Sequence, residues 1–500
     1  MKRVVSVFLV ALMLTAMLVS CQQPIDDEKG EGTLPSDVIP TGDVDTTDTD
    51  ANQFQNDRLP TGAELEKLGF AGSEVKVLSW EEQEHQTFPK EDSSSDPIKS
   101  KLFYHWKGIE ERFGITFQTD YTESNWSENP KFLVDARSEA NRYDLMQTQT
   151  LYPITLAMEG RLVNLMKLSY PDLEMPWWPE STSEWSQHGA LFFIASNSSV
   201  MSIGNMAVVF VHAGLITQKG NTDPVQSVLR GLWTVDEMTK ISKSFAGEAQ
   251  NTAADERIYG LVVDHVSRVD SLYYSCGFSS VKNVNGVGTL AFDEESELQA
   301  IDAAIESFEP LYAGLGNEVK QYQTVVDTAE LYQSRAAMVL GYMEMIRKLE
   351  DTEAYTVVPT PMLNEAQYDT LGYRTVQADY ADVWCVPTTT SNRVLSGMLL
   401  EANASSEYRN VGPYFFEEYL KDRYTSGAQG RACFDLLRDS LVYDLGRVGH
   451  LTGIGTEHLW RRCFNNGFNN TFVTAYRSEA VTRSNALKEV LDAYEKYVNN

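Results

Sequence analysis

The sequence predicts an α/β protein built as two lobes, and three observations predict it. Strand-like and helix-like segments alternate from about residue 73 onward at the spacing of parallel βαβ units. The chain has 500 residues, and the roughly 430 that follow an acidic stretch exceed what one hydrophobic core usually serves. Apolar residues make up 42% of the chain, enough for a globular body.

Ahead of that body, Lys2 and Arg3 precede an apolar run from Val4 to Val19 that closes on Leu18-Val19-Ser20-Cys21. The run is too short to span a bilayer comfortably, and small Ser20 sits where a signal peptidase cuts, so residues 1–20 read as a secretory signal. Leu-Val-Ser-Cys resembles a bacterial lipobox, which makes Cys21 the expected lipidation site and the mature N-terminus. An ordinary signal peptide ending on a cysteine, or an uncleaved anchor, is the alternative. Residues 21–72 then read as a lipid-anchored, disordered acidic linker. Within it, residues 22–62 carry ten Asp or Glu against Lys29 and Arg58, with Phe54 the single aromatic, so the segment has no core to bury. The expected location is extracytoplasmic, on the outer face of the bacterial cell membrane.

Charge and motifs exclude several classes. With 41 basic residues against 71 acidic, the net charge is −30, which argues against nucleic acid as a partner. Cys276, Cys385, Cys433 and Cys463 show no Cys-x-x-Cys spacing, and the seven histidines show no metal spacing, so no metal or cofactor is expected. A disulfide among the four stays open. There is no His-Glu-x-x-His, Gly-x-Ser-x-Gly or Walker A loop. Ser279 and Lys282 form a Ser-x-x-Lys without its partner motifs, so no catalytic residue is assigned. A surface lipoprotein hydrolase acting on glycans, or an adhesion or scaffold lipoprotein, remains as the alternative reading.

In the body, Val75 and Val77 mark a strand ending at Trp80. After Pro97, Ile98, Leu102, Trp106, Ile109 and Phe113 form one helix face, with Gly114 as its stop. Ile115 and Phe117 alternate as a strand. Asn129-Pro130 opens a helix through Phe132, Leu133, Ala136 and Ala140. Tyr143 to Gln147 is a strand, Leu151 to Met158 a helix, and Leu191 to Ile194 is strand-like. Ala207 to Val211 is the next strand. Thr234 and Glu237 are spaced as a capping box, Tyr259 to Val263 is a strand, and Asp293 caps a helix with face Leu298, Ile301, Ile305 and Phe308. Asp327 and Glu330 repeat the box before Ala336 to Tyr342. Tyr355 to Val358, closed by Pro359 and Pro361, reads as a strand crossing back to the first lobe. Val383 to Pro387 is a short strand, and the rest is helical to Val498.

These residues carry a resemblance. The lipobox, the strand ending at Trp80, Tyr143-Asp144-Leu145-Met146, Trp233-Thr234-x-Asp236-Glu237, Tyr259-Gly260-Leu261, Ala336-Ala337-Met338 with Gly341-Tyr342, Pro359-x-Pro361 and Ser391-Asn392 together resemble the carbohydrate-type extracellular solute-binding lipoproteins of ABC importers, the family of maltose-binding protein. The resemblance covers about residues 73 to 445 and departs from the family at Val211-His212, where an Asn-Lys pair is common. It implies a type II periplasmic-binding-protein-like fold with a hinge between the lobes. Lobe 1 is expected at 73–195 and 358–445, lobe 2 at 196–357, and an extra helical C-terminal segment at 446–500. It also implies a non-enzymatic protein that captures a solute, a sugar or oligosaccharide, and hands it to permease subunits.

Sugars need flat aromatic faces against C–H surfaces, with carboxylates and amides for the hydroxyls. Open α/β sheets hold ligands at the carboxyl ends of their strands. The candidates are therefore Trp80, Glu82, Gln149, Trp178, Asp264, Tyr342 and Trp384. Trp80 and Trp384 serve equally well as core packing, and Glu82 as a solvated loop residue. Trp177 and Trp178 are adjacent, so one is expected in the core and one available to ligand. Tyr342 fits the family's turn position best. A cationic ligand is the alternative that the acid excess suggests.

Overall fold

The computed structural model describes residues 57–123, 131–138, 140, 142–247, 257–323, 335–348, 355–425 and 427–500. The signal, Cys21, the linker as far as residue 56, the Asn129-Pro130 cap and the Asp327/Glu330 box lie outside them. Both large sheets belong to one unit, Val44–Asn500.

The first sheet runs in the order β11-β3-β1-β2. Its strands are β1 (Glu74–Trp80), β2 (Thr116–Thr122), β3 (Leu145–Gln149) and, much later in the chain, β11 (Asp382–Cys385). The first three are mutually parallel and β11 is antiparallel to β3. Helix α1 (Pro97–Phe113) connects β1 to β2 and has both ends fixed locally. Asp96 accepts hydrogen bonds from the backbone N–H groups of Ile98 and Lys99, Pro97 takes the first turn where no N–H is needed, and Gly114 at φ 65° closes it. Its buried face includes the expected Ile98, Leu102, Trp106, Ile109 and Phe113. Helix α2 (Lys131–Arg137) is shorter than the periodicity predicts, and β3 starts two residues later than expected. The second shift has a cause in Asp144, whose carboxylate accepts from Lys76 N (2.9 Å) and Ser391 N (2.8 Å) and so docks β1 and the later return of the chain. Helix α3 (Pro153–Met158) follows β3.

The second sheet has the order β10-β4-β9-β5-β8, formed by β4 (Ala207–Val211), β5 (Tyr259–Val263), β8 (Val319–Gln321), β9 (Ala336–Tyr342) and β10 (Thr356–Pro359). Strands β9, β5 and β8 are parallel, and β4 is antiparallel to both β9 and β10. Every residue of β4, β5 and β9 is buried, because both faces are covered. Val209, Val211, Leu261, Val263, Met338 and Leu340 meet one core, while Val208, Phe210, Val262 and Val339 meet another. Helix α4 (Val235–Lys243) starts at Thr234, which accepts from Glu237 N as expected. Helix α5 (Glu295–Glu306) is capped by a box between Glu294 and Glu297, one residue after the expected Asp293. Between β5 and α5 stands a hairpin that the element reading passes over, β6 (Val281–Val284) and β7 (Val287–Leu290), turned at Asn285 and Gly286 with φ 54° and 83°.

The chain passes between the sheets after Ile194 and again before Asp382. Leu191 to Ile194 forms no strand; only an Ile194↔Trp384 bridge is present. The return also comes later than expected. Val358 pairs with Val209 in the second sheet, and Met362, Tyr373, Val376 and Ala378 still pack in that sheet's core. The crossing itself is the stretch from Ala378 to Asp382. Helix α6 (Arg393–Ser406), capped by Asn392, then covers the first lobe. The C-terminal helix α7 (Phe472–Lys496) is no appendage: Phe472 and Tyr476 pack in the second lobe's core, and Leu487, Val490 and Tyr494 in the first's. The four cysteines after residue 21 are all buried and free, and no helix among the described residues is long and apolar enough to cross a membrane.

Gly260 shows how tightly α4 lies on β5. A Cβ there would sit 2.4 Å from Ser242 O and 2.6 Å from Ser242 Cα, both backbone atoms. Gly260→Ala is expected to cost about 1–3 kcal/mol by overpacking, read as a lower urea midpoint with an unchanged slope.

Candidate functional site

The carboxyl ends of both sheets converge on the Ala378–Asp382 crossing. From the first sheet, Gln149 ends β3, and Thr150 just beyond it is bonded twice to the crossing: its N–H donates to Ala381 O (3.0 Å) and its hydroxyl to Asp379 O (2.5 Å). From the second sheet come Asp264 and His265 after β5 and Tyr342 at the end of β9. The crossing contributes Asp379 and Tyr380, both half-buried. The Tyr380 ring meets Tyr342 edge-on at 5.7 Å, and its hydroxyl lies 3.4 Å from Glu344 Oε1.

Cations line the same space. Arg268, one turn beyond Asp264, pairs with it at 2.8 Å and lies 4.1 Å above the Tyr342 ring. Burial alone lowers a guanidinium's pKa, but Tyr342, Asp264 and Tyr380 outweigh it and hold Arg268 charged. His265 goes the other way: burial, then Arg268 and Arg461, push its pKa down, so it is neutral near neutral pH. The C-terminal segment adds Arg447, His450 and Arg461. Arg461 pairs with buried Asp270 (2.8 Å), and Arg447 donates Nε to Gln377 O (3.0 Å) on the crossing.

Asp379 stands at the centre of this group. Its charge acts on His265, Tyr342, Tyr380, Arg447, His450 and Arg461, yet its carboxylate makes no hydrogen bond or ion pair among the described residues. At the carboxyl edge of the first sheet, two further polar atoms are buried without a partner among the described residues, Trp80 Nε1 and Thr122 Oγ1. Such groups cost free energy unless something else satisfies them.

The seven residues chosen from sequence thus divide. Asp264 and Tyr342 lie in the cleft wall, Gln149 beside the crossing, and Trp80 at the first sheet's carboxyl edge. Glu82 is exposed just beyond it. Trp178 is core: it and Trp177 both donate their indole N–H to Glu401 (3.0 Å each). Burial pushes Glu401 up to about 7, and those two donors satisfy it, so neither tryptophan of the pair is left for a ligand. Trp384 is also core, packed 5.5 Å from Trp106. Sequence reasoning missed Asp379, Tyr380, Arg268 and Arg447, which belong to no motif; the carboxyl-end rule applied to the crossing would have reached the first two. Among the described residues no cluster of His, Cys, Asp and Glu is placed to hold a metal ion.

No family model matches the chain, and no curated protein matches it. Solved structures do. The galacto-N-biose/lacto-N-biose I-binding protein of an ABC transporter from Bifidobacterium longum, solved with lacto-N-biose, superposes with a TM-score of 0.53 over 85% of this chain and 98% of its own, at 11% identity. The chain has the two-lobed fold of ABC-transporter solute-binding proteins. The GacH receptor of Streptomyces glaucescens, solved unliganded and with acarbose, agrees with a TM-score of 0.50 over 86% of this chain and 99% of its own, at 14% identity. The Asp379 group stands where the carboxyl ends of the two sheets meet the crossing.

His450 gives the cleft a pH signature. Its hydrogen bond to Glu457 (3.2 Å) outweighs burial and raises its pKa, with Asp379 assisting and Arg461 opposing. Glu457 is fully buried, which alone raises it, but His450 first, then Arg447 and His458, hold it down to about 2. Glu457 therefore contributes stability that is present above its ordinary 4.5 and fades as pH falls toward 2. His450 contributes stability that is complete below its ordinary 6.5 and fades as pH rises through its elevated value. Urea unfolding followed against pH should show both slopes, and His450→Gln should flatten the one above 6.5.

Proposed function

We propose that this protein is the substrate-binding component of an ABC importer, a member of the carbohydrate-type solute-binding lipoproteins, and that it captures a sugar or oligosaccharide by closure of its two lobes. The observation that carries the reading is the cleft. Rings of Tyr342 and Tyr380, an unpaired carboxylate and guanidinium donors gather where two sheets meet across a pair of crossings. That is the donor, acceptor and flat-face chemistry a polyhydroxylated ligand needs. Lacto-N-biose and acarbose, the ligands of the two structures compared, belong to this class. Differential affinity for the closed form drives closure.

The cationic-ligand reading fares worse at the cleft than on composition. A polyamine entering it would find Asp264 and Asp270 already paired with Arg268 and Arg461 and would meet Arg447 beside them. Permease subunits are the proposed protein partner. The lobes are taken as 73–195 with 379–406 and 196–378 with 411–442, the latter packed on the second sheet through Phe416, Leu420 and Phe434, joined by the crossings and overlaid by the C-terminal segment. Cys21 is the proposed lipid attachment site, holding the protein on the outer face of the cell membrane through the acidic linker.

Thermal-shift measurements over neutral mono- and oligosaccharides should raise the melting temperature for at least one, by about 2.7 kcal/mol of stabilisation at a hundredfold excess over Kd. Spermidine should give none. Small-angle scattering should show compaction with that sugar, and Tyr380→Ala should weaken its binding about tenfold, ~1.4 kcal/mol. A shift with spermidine and with no sugar would overturn the carbohydrate assignment. Expressed in a bacterial host, the wild-type chain should partition with membranes and Cys21→Ser should not; equal release of both would overturn the anchor.

A further inference from the structure

Besides the two crossings, a helix carries the chain from one lobe to the other. Helix α6 packs Leu395, Met398 and Leu399 in the first lobe's core, then runs on through a π-helical turn, Glu407–Val411. Beyond the turn, Val411, Phe415 and Phe416 pack against the second sheet. Such turns loosen a helix's hydrogen-bond ladder and are places where it bends. Gly412 lets this passage lie against the first crossing, since a Cβ there would sit 2.9 Å from Ser198 O and from Glu407 O.

The three passages bring polar groups to one buried point. The first crossing supplies Ser196 and Ser199, the second Asp382, and the π turn Glu407. Ser199 Oγ donates to Asp382 (2.9 Å), while Ser196 and Asn403 donate to Glu407. Both acids are 4% exposed, and Glu407 Oε2 has no hydrogen-bond partner among the described residues. Burial raises both pKa values, that of Glu407 the more because the charge of Asp382 acts on it, and the neutral donors only oppose this. No cation acts on either acid. From α1, His105 bonds Asn403 Oδ1 (2.8 Å) and Ser406 Oγ (2.9 Å), and burial, helped by Lys101 and opposed by Asn403, brings it down to about 4, so it is neutral. Lys101 itself lies over the Tyr414 ring. Arg409, on Glu407's own turn, lies over Trp177 and donates to Ser405 O. Burial and Asp382 keep Tyr443 protonated. From residue 57 onward, the positions outside the described residues hold no Lys, Arg or His.

We infer that Asp382 and Glu407 form a proton-binding site at the hinge: the pair keeps at least one proton while the three passages stay packed, and losing it loosens them and frees the lobes to rearrange. Two carboxylates without a counter-ion repel each other and need water, and water reaches this pair only where the passages part. On release the acid O–H bond breaks, the proton goes to solvent and a carboxylate remains. The packed form therefore binds the proton more tightly than a parted one. Its stability is complete below the ordinary carboxyl values of 3.8 and 4.5 and fades as pH rises through the raised ones. The inference rests on the two-lobed fold and is independent of the solute.

The test is hydrogen exchange of the full chain in detergent without ligand, read by mass spectrometry from about pH 6 to about pH 9 with the intrinsic rate divided out. In wild type, protection of residues 195–206, 378–385 and 403–412 should fall together by about tenfold or more, while β5 keeps its protection. Asp382→Asn with Glu407→Gln copies the neutral acids and has no proton to lose, so protection should stay constant within about twofold. Should that double variant lack a melting transition, Glu407→Gln alone removes the like charge and should move the fall to lower pH by about one unit. A flat wild-type profile, or the same fall in wild type and variants, would overturn the inference. Protection that follows sodium or calcium concentration at fixed pH would overturn it too, assigning the pair to a metal cation. None of these outcomes bears on capture, which the sugar screen decides separately.

Discussion

The structure depends on a polar seam where its two crossings lie side by side. Ile194 and Trp384 exchange backbone hydrogen bonds of 2.9 and 2.8 Å, Ala207 N donates to Val376 O, and Ala378 N donates to Asn205 O. At the middle of this seam is Asp382, fully buried, accepting from Ser199 Oγ (2.9 Å) and Gln147 Nε2 (3.1 Å). Burial raises its pKa and those two donors oppose it. A half-satisfied buried network is worse than none, so the seam holds one geometry or fails. Asp379 and Tyr380 sit inside it, and their aim into the cleft is set by the same bonds that join the lobes.

That placement separates the charge of the molecule from the charge of its site. A net charge of −30 keeps the surface repelling polyanions and supports solubility. The wall around the crossing is assembled differently, from Arg268 held by Asp264, Arg461 by Asp270 and His450 by Glu457, with Arg447, Asp379 and Glu344 beside them. Long-range charge of an exposed surface is screened within about 8–10 Å at ordinary salt, whereas pairs buried in a cleft are screened little. Total composition therefore says almost nothing about the charge of this wall.

Legibility from sequence follows how local the physics is. Helix α1 was readable because its apolar face repeats at three and four residues and Gly114 stops it, all within one stretch of chain. Strands β4, β5 and β9 were readable because both faces are buried, leaving short apolar runs. Asn285-Gly286 carried an equally local hairpin signal that the strand-helix-strand pattern obscured. Trp178 was not readable: whether an indole faces a ligand or the core depends on Glu401, 223 residues away. Arg447 belongs to the same class, since nothing near it in sequence says that Gln377 fixes one of its nitrogens and leaves two open.

The C-terminal helix constrains how the lobes move. Its buried residues Phe472, Tyr476, Arg483, Leu487, Val490 and Tyr494 are spaced as one face of an unbroken helix, about 33 Å from first to last. One end is set in the second lobe's core and the other in the first's. Arg483, 2% exposed, pins the middle by donating to Gly453 O and Gly455 O. An α-helix bends sharply only at Pro, at Gly/Ser pairs, at π-bulges or where its hydrogen-bond ladder is interrupted, and α7 contains no Pro or Gly. Relative rotation of the lobes must then pivot close to this helix or shear one of its two apolar contacts. Burial of Phe472 and Tyr494 makes shear costly, since exposing a large side chain forfeits about 1.5–3 kcal/mol. Rotation about an axis near α7 would keep both contacts, and Arg447, 25 residues upstream of Phe472, would go with the first lobe, in whose core its neighbours Leu445 and Val448 are packed.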